Sequence, residues 1–112
     1  MKKDDYVYIE DILEAFNKIC EYTKGQTEKD FYNNEMIQDA VIRKFEIAGE
    51  AVKNISTELK GKHSNVPWKK MAGMRDKLVH DYSGVDLIVL WETIQKLLPE
   101  LIGNLSVVLN KK

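Results

Sequence analysis

Apolar residues recur at helical spacing along nearly the whole chain. Ile9, Ile12, Leu13, Phe16, Ile19, Cys20 and Thr23 follow the i, i+3, i+4, i+7 pattern. Asp4 and Asp5 are start signals and Gly25 is a stop, so a helix is expected over about residues 5–24. The polar stretch from Gln26 to Asn34 leaves room for a short helical turn around Phe31. A long helix is then expected from Glu35 to about Lys60. Its stripe includes Met36, Ile37, Val41, Phe45, Ala48, Val52, Ile55 and Leu59, wide enough to pack on two sides. Gly49 lies inside it, where glycine costs about 1 kcal/mol against alanine. Close approach of another backbone would explain that cost.

Residues 61–66 read as a loop. Pro67 suits the first turn of a new helix, expected to run to about Tyr82 with Gly84 as its stop. Asp86 caps the next helix. The apolar run Leu87 to Trp91 taken alone would also suit a strand. Continuation of the 3.6-residue period through Ile94, Leu98, Leu101 and Leu105 decides for helix, with Pro99 as a kink or restart. These elements predict an all-α antiparallel bundle of four to five helices, forming a single domain over residues 1–112. The stripes are wide for so short a chain, which calls for a homodimer to cover the surplus apolar surface.

Composition narrows the classes. No apolar run approaches the roughly 18 residues needed to span a membrane, so no membrane association is expected. Cys20 is the single cysteine, which precludes an internal disulfide, and no signal-type leader is present. Both point to a reducing, cytoplasmic setting. Cys20 lies on the buried stripe and is expected to be core filler. Two histidines and one cysteine, far apart, offer no metal site, and no Gly-rich phosphate loop or other cofactor signature occurs.

Net charge is −1, yet it is unevenly spread. Between Leu59 and His80 stand Lys60, Lys62, Lys69, Lys70, Arg75 and Lys77, with Asp76 as the only acid. That segment is +5 and the other 90 residues sum to −6. Such a balance argues against coating nucleic acid non-specifically and leaves room for one phosphate-facing patch, or for a solvated basic face.

The helix expected from Pro67 to Tyr82 carries an anomaly. Trp68, Met71, Ala72, Leu78 and Val79 form its stripe, and Arg75 falls at the centre. On a regular helix Trp68, Arg75 and Tyr82, seven apart, differ by about 20°. An arginine there snorkels, pairs with a carboxylate such as Glu46 or Glu50, or faces an interface or site. Asp76 and His80 stand at i and i+4, close enough on a helix for the carboxylate to orient the imidazole. His80 also suits a helix C-terminus, stabilised by the dipole. Two copies packed about a two-fold axis would bring Arg75 and His80 of both subunits around one cleft.

Arg75-Asp76-Lys77-Leu78-Val79-His80-Asp81-Tyr82 reads R-x-x-x-x-H-x-Y. It resembles the signature of the HepT-like ribonuclease toxins of the HEPN superfamily. The stretch from Asp39 to Ala51 resembles that family's long second helix. Val66-Pro67-Trp68 and Leu98-Pro99-Glu100-Leu101 sit where the family has such segments. The resemblance covers about Tyr8 to Ile102. Lys44 departs from it, standing where a polar amide is expected.

The resemblance implies a helical homodimer that cleaves RNA without metal, as the toxin of a type II toxin–antitoxin system. It further implies a minimal nucleotidyltransferase antitoxin that silences the nuclease by adenylylating Tyr82. The residues suit that chemistry. A ribose 2′-OH attacks the adjacent phosphorus, and His80 can take that proton or supply one to the leaving 5′ oxygen. Arg75 offers a planar, permanently charged fork to the phosphoryl oxygens. Asp76 would hold the imidazole, and AMP on Tyr82 would add bulk and negative charge. The motif has no carboxylate cluster beside it, in keeping with a metal-free reaction. His63 reads as a loop residue, Trp68 as core, and Arg43, Glu46 and Glu50 as a surface salt-bridge ladder. The alternatives are a non-catalytic helical partner that presents RNA or a nucleotide to a nucleotidyltransferase, and a plain dimeric scaffold.

Overall fold

A computed structural model describes residues 4–80 and 84–112; the side chains of Arg75, Leu78, Val79, His80, Gly84 and Val85 lie outside that description. Helix α1 (Asp5–Thr23) starts where Asp4 accepts a hydrogen bond from the Tyr6 amide at 2.8 Å. It ends at a turn in which Gly25 takes a φ of +78°, a conformation that favours glycine. Helix α2 (Glu28–Tyr32) is the expected short turn. Thr27 and Asp30 cap it reciprocally, each side chain accepting from the other's amide at 3.0 Å. Helix α3 (Glu35–Asn54) follows, capped by Asn34.

The long helix stops short of the expected Lys60. Ile55 is extended, and Ser56 caps a separate helix α4 (Thr57–Lys62). The break is fixed from a distance. The Asp5 carboxylate accepts from the Ser56 amide at 2.9 Å and from its hydroxyl at 2.6 Å. Helix α4 also takes up the first two residues of the expected loop. Because Asp5 holds both donors of Ser56, Asp5→Ala should destabilise the fold by about 1.5–3 kcal/mol, the range for bonds to a charged acceptor. Urea denaturation at neutral pH reads this directly. Unchanged stability would mean that α4 holds its place without the clamp.

Helix α5 (Trp68–Ala72) begins one residue after Pro67, and helix α6 (Met74–Leu78) continues it past a kink at Gly73. The helix expected to reach Tyr82 therefore ends at Leu78. Strands β1 (Val79–His80) and β2 (Gly84–Val85) pair antiparallel, Val79 with Val85 and His80 with Gly84. Two β-branched valines opposite one another suit a ladder better than a last helical turn. Tyr82 lies outside the described residues. Helix α7 (Leu87–Glu92) is capped by Asp86, as expected. A π-helical turn, Thr93–Leu97, joins it to helix α8 (Leu98–Asn110), which restarts with Pro99 in its first turn.

The result is the expected all-α bundle, built on four rods: α1, α3, α5 with α6, and α7 with α8. The start of α1 meets the end of α3 through Asp5 and Ser56, so these two run antiparallel. Lys112 lies 5.6 Å from the Tyr6 ring centre, which sets α8 antiparallel to α1 as well. Their buried side chains form one core. Phe16 and Phe45 meet edge to face at 6.2 Å in its centre, and Phe31 packs on Trp91 at 5.3 Å. The mid-helix glycine has its reason. A Cβ on Gly49 would reach the Ala72 carbonyl oxygen at 3.4 Å, so α3 and α5 touch through backbone. Met36, expected on the packed stripe, is 81% exposed instead. Cys20 is half-buried, and burial pushes its thiol pKa up, away from a reactive thiolate.

Candidate functional site

The sequence places its chemistry on the third rod. Helix α5 is held by Trp68, whose ring is buried and whose Nε1 donates to the His63 carbonyl at 3.0 Å. That anchors the rod as core, as expected, and leaves the ring unavailable for stacking on a base. Met71 and Met74 are buried on the same side. Gly73 supplies the kink between the anchored turn and the turn that carries Arg75 and Asp76.

An open groove of about 520 Å³ runs between α3 and this rod. Ala72 and Asp76 form one wall, and Arg43, Glu46, Gly49 and Glu50 lie along the other. The contact at Gly49 keeps the two walls close. Within the α3 wall, Arg43 Nη1 stands 3.7 Å from Glu46 Oε2, and Lys53 Nζ 3.5 Å from Glu50 Oε1. The expected ladder therefore exists, but Glu50 pairs towards Lys53. Such exposed pairs add little stability.

Of the four expected site residues, Asp76 is fully described. Its carboxylate is solvent-exposed on α6 and lines the groove. Arg75 precedes it on the same helix, and His80 follows that helix in β1. The i, i+4 argument for Asp76 and His80 needs one helix over both, and α6 ends between them. The same ending removes the argument that set Arg75 and Tyr82 on one helical face. The dipole alternative for His80 weakens too, because His80 is two residues beyond the last helical residue.

Sequence reasoning missed that α3 supplies a wall to the Asp76 groove. Arg43, Glu46 and Glu50 were legible as one helix face, but nothing local shows which rod they would meet. Elsewhere, the Tyr32 hydroxyl donates to Glu28 at 2.6 Å, and that bond is the main cause of a phenol pKa pushed up to about 12. Lesser causes are desolvation and the charges of Glu28, Glu92 and Asp86. Among the described residues no group of three or more His, Cys, Asp or Glu side chains could hold a metal ion. No helix among them is long and apolar enough to cross a membrane.

Comparison with known proteins bears on this rod and its flanks together. "Gamma-glutamylcyclotransferase and putative RNase MJ0434" of Methanocaldococcus jannaschii is 48% identical over 90% of this chain, which spans 46% of that longer protein. "Putative RNase TTE0752" of Caldanaerobacter subterraneus is 46% identical over 94% of both chains. "Probable ribonuclease HepT" of Thermococcus cleftensis is 48% identical over 93% of this chain and 94% of its own. No solved structure matches. The profile of the family described as "Ribonuclease HepT-like" matches residues 12–108, a span that runs from the first helix through the Arg75–His80 segment into α8, and the chain belongs to that family.

Proposed function

We infer that this chain is a metal-independent endoribonuclease, the toxin of a type II toxin–antitoxin pair, acting as a homodimer in the cytoplasm. The observation that carries the reading is the Arg75–His80–Tyr82 motif inside a family match that covers most of the chain. The ribonuclease names of relatives at 46% and 48% identity over nearly their full length support it.

In the proposed reaction the 2′-OH oxygen attacks phosphorus and the bond to the 5′ oxygen breaks. His80 from one or both subunits takes the hydroxyl proton and supplies the proton for the departing oxygen. The products are a 2′,3′-cyclic phosphate and a 5′-hydroxyl. Arg75 bears the charge that gathers on the non-bridging oxygens. Asp76, exposed on the helix just ahead of β1, is proposed to orient the imidazole. Tyr82 is the proposed acceptor of AMP from a minimal nucleotidyltransferase antitoxin. Each modification adds a negative charge beside the place where the RNA phosphate would bind.

The test is to incubate purified protein with RNA in excess EDTA and to identify the ends. Cleavage that survives chelation and leaves 2′,3′-cyclic phosphate is expected. Activity abolished by chelation and restored by Mg²⁺ would overturn the mechanism.

A further inference from the structure

A second groove, of about 820 Å³, lies on the other side of α5, against α4 and the turn that joins them. Its floor is Val66, Pro67 and the edge of Trp68, and its rim carries Lys60, Lys69 and Lys70. No acidic residue lines it. Among the described residues, none of these three lysines takes part in an ion pair. The balance contrasts with the Asp76 groove, which has three carboxylates on its walls. In a chain of net charge −1, three cations gathered without counter-charge repel one another unless an anion joins them.

Resting on the ribonuclease reading above, we propose that this groove is a docking track for single-stranded RNA outside the reacting nucleotide. The lysines neutralise successive phosphates while the apolar floor meets ribose and base. Charge complementarity selects a polyanion, and the floor selects one with apolar faces over an acidic peptide. Helix α5 connects the track to the motif. It lends Trp68, Lys69 and Lys70 to the basic groove and Ala72 to the Asp76 groove, about one helical turn further on. A strand lying along the lysines is thereby led towards the segment that carries Arg75 and His80. Affinity for long substrates then comes from the track, while the motif performs the chemistry.

The test compares Lys60→Gln/Lys69→Gln/Lys70→Gln with a charge-matched control, Lys24→Gln/Lys29→Gln/Lys111→Gln, whose lysines are exposed elsewhere. Binding of a fluorescein-labelled single-stranded RNA 20-mer is followed by anisotropy against salt, with His80→Ala added to every variant so that the RNA stays intact. Thermal melts check folding. The groove variant should bind about tenfold more weakly at 0.1 M salt, and its log K against log salt slope should fall by about 2, since each single-strand phosphate contact contributes about 0.7. With His80 restored, KM for the 20-mer should rise while kcat stays level. Affinity and slope equal to the control's would overturn the track. So would displacement of the RNA by polyglutamate of equal charge as readily as by unlabelled RNA. Loss of binding without cleavage by any His80-bearing form would keep the track and sink the nuclease. Cleavage with unaltered binding would do the reverse.

Discussion

His80→Ala should lower RNA cleavage by about 10²–10⁴-fold, the usual loss when a positioned proton carrier is removed. The fold should survive it. His80 follows α6 in a two-residue strand whose pairing with Gly84 is made by backbone, which alanine supplies equally well. Expression of the wild type should therefore halt growth and fragment RNA, while His80→Ala accumulates as folded protein and does neither. Arg75→Lys keeps the charge but loses the two-pronged fork, so it should also impair cleavage strongly. If the cleft is shared by two subunits, mixed dimers of Arg75→Ala and His80→Ala chains should regain activity through one intact pair. A fall of several kcal/mol in stability on His80→Ala, with cleavage per folded molecule unchanged, would make the histidine structural and refute the mechanism.

Phe45→Ala should have the largest effect on stability, about 3–5 kcal/mol. Phe45 is 1% exposed in the middle of α3 and meets Phe16 of α1 edge to face. Truncation leaves a cavity between two rods and removes an aromatic pair worth about 0.5–1.5 kcal/mol beyond its buried area. Against the 5–15 kcal/mol typical of a small domain, such a loss brings the protein near its folding threshold. Urea melts should show a much lower midpoint. In cells the variant should be inactive through scarcity, in contrast to the abundant, inert His80→Ala. A change below about 1 kcal/mol would mean that α1 and α3 close over the space.

The elements with local signals were readable from the chain. The reciprocal Thr27–Asp30 caps, the Asp86 cap and the stripe from Leu90 to Leu105 each act within one or two turns, and the structure shows each of them. The misplaced ends depend on partners far away in sequence. Asn54 ends α3 because Asp5, 51 residues before Ser56, holds the cap of the next helix. Leu78 ends α6 because Val79 finds Val85 across a ladder, which a helical count along one segment does not register. The site was legible as letters and less so as geometry. Arg75, Asp76 and His80 stood out by residue type, but their expected alignment assumed a helix that stops two residues early. The basic segment was visible as a charge imbalance, whereas its division by α5 into a lysine-lined groove and an acidic one is a property of packing.

The π-helical turn at Thr93–Leu97 amounts to a phase correction. On an uninterrupted α-helix Leu98 would lie 800° on from Leu90, some 80° away from the core-facing direction. Both residues are completely buried. The wider turn, closed by the Leu98 amide on the Thr93 carbonyl, spends about one extra residue without advancing the face. This rod therefore carries a built-in insertion at a defined place. Loss of one residue inside the turn restores an ordinary helix with its stripe still pointing inward, whereas the same deletion in α1 or α3 rotates everything beyond it out of the core. Length variation among chains of this fold would accordingly be absorbed in the last rod, between Glu92 and Leu98, and resisted in the two rods that hold Phe16 and Phe45.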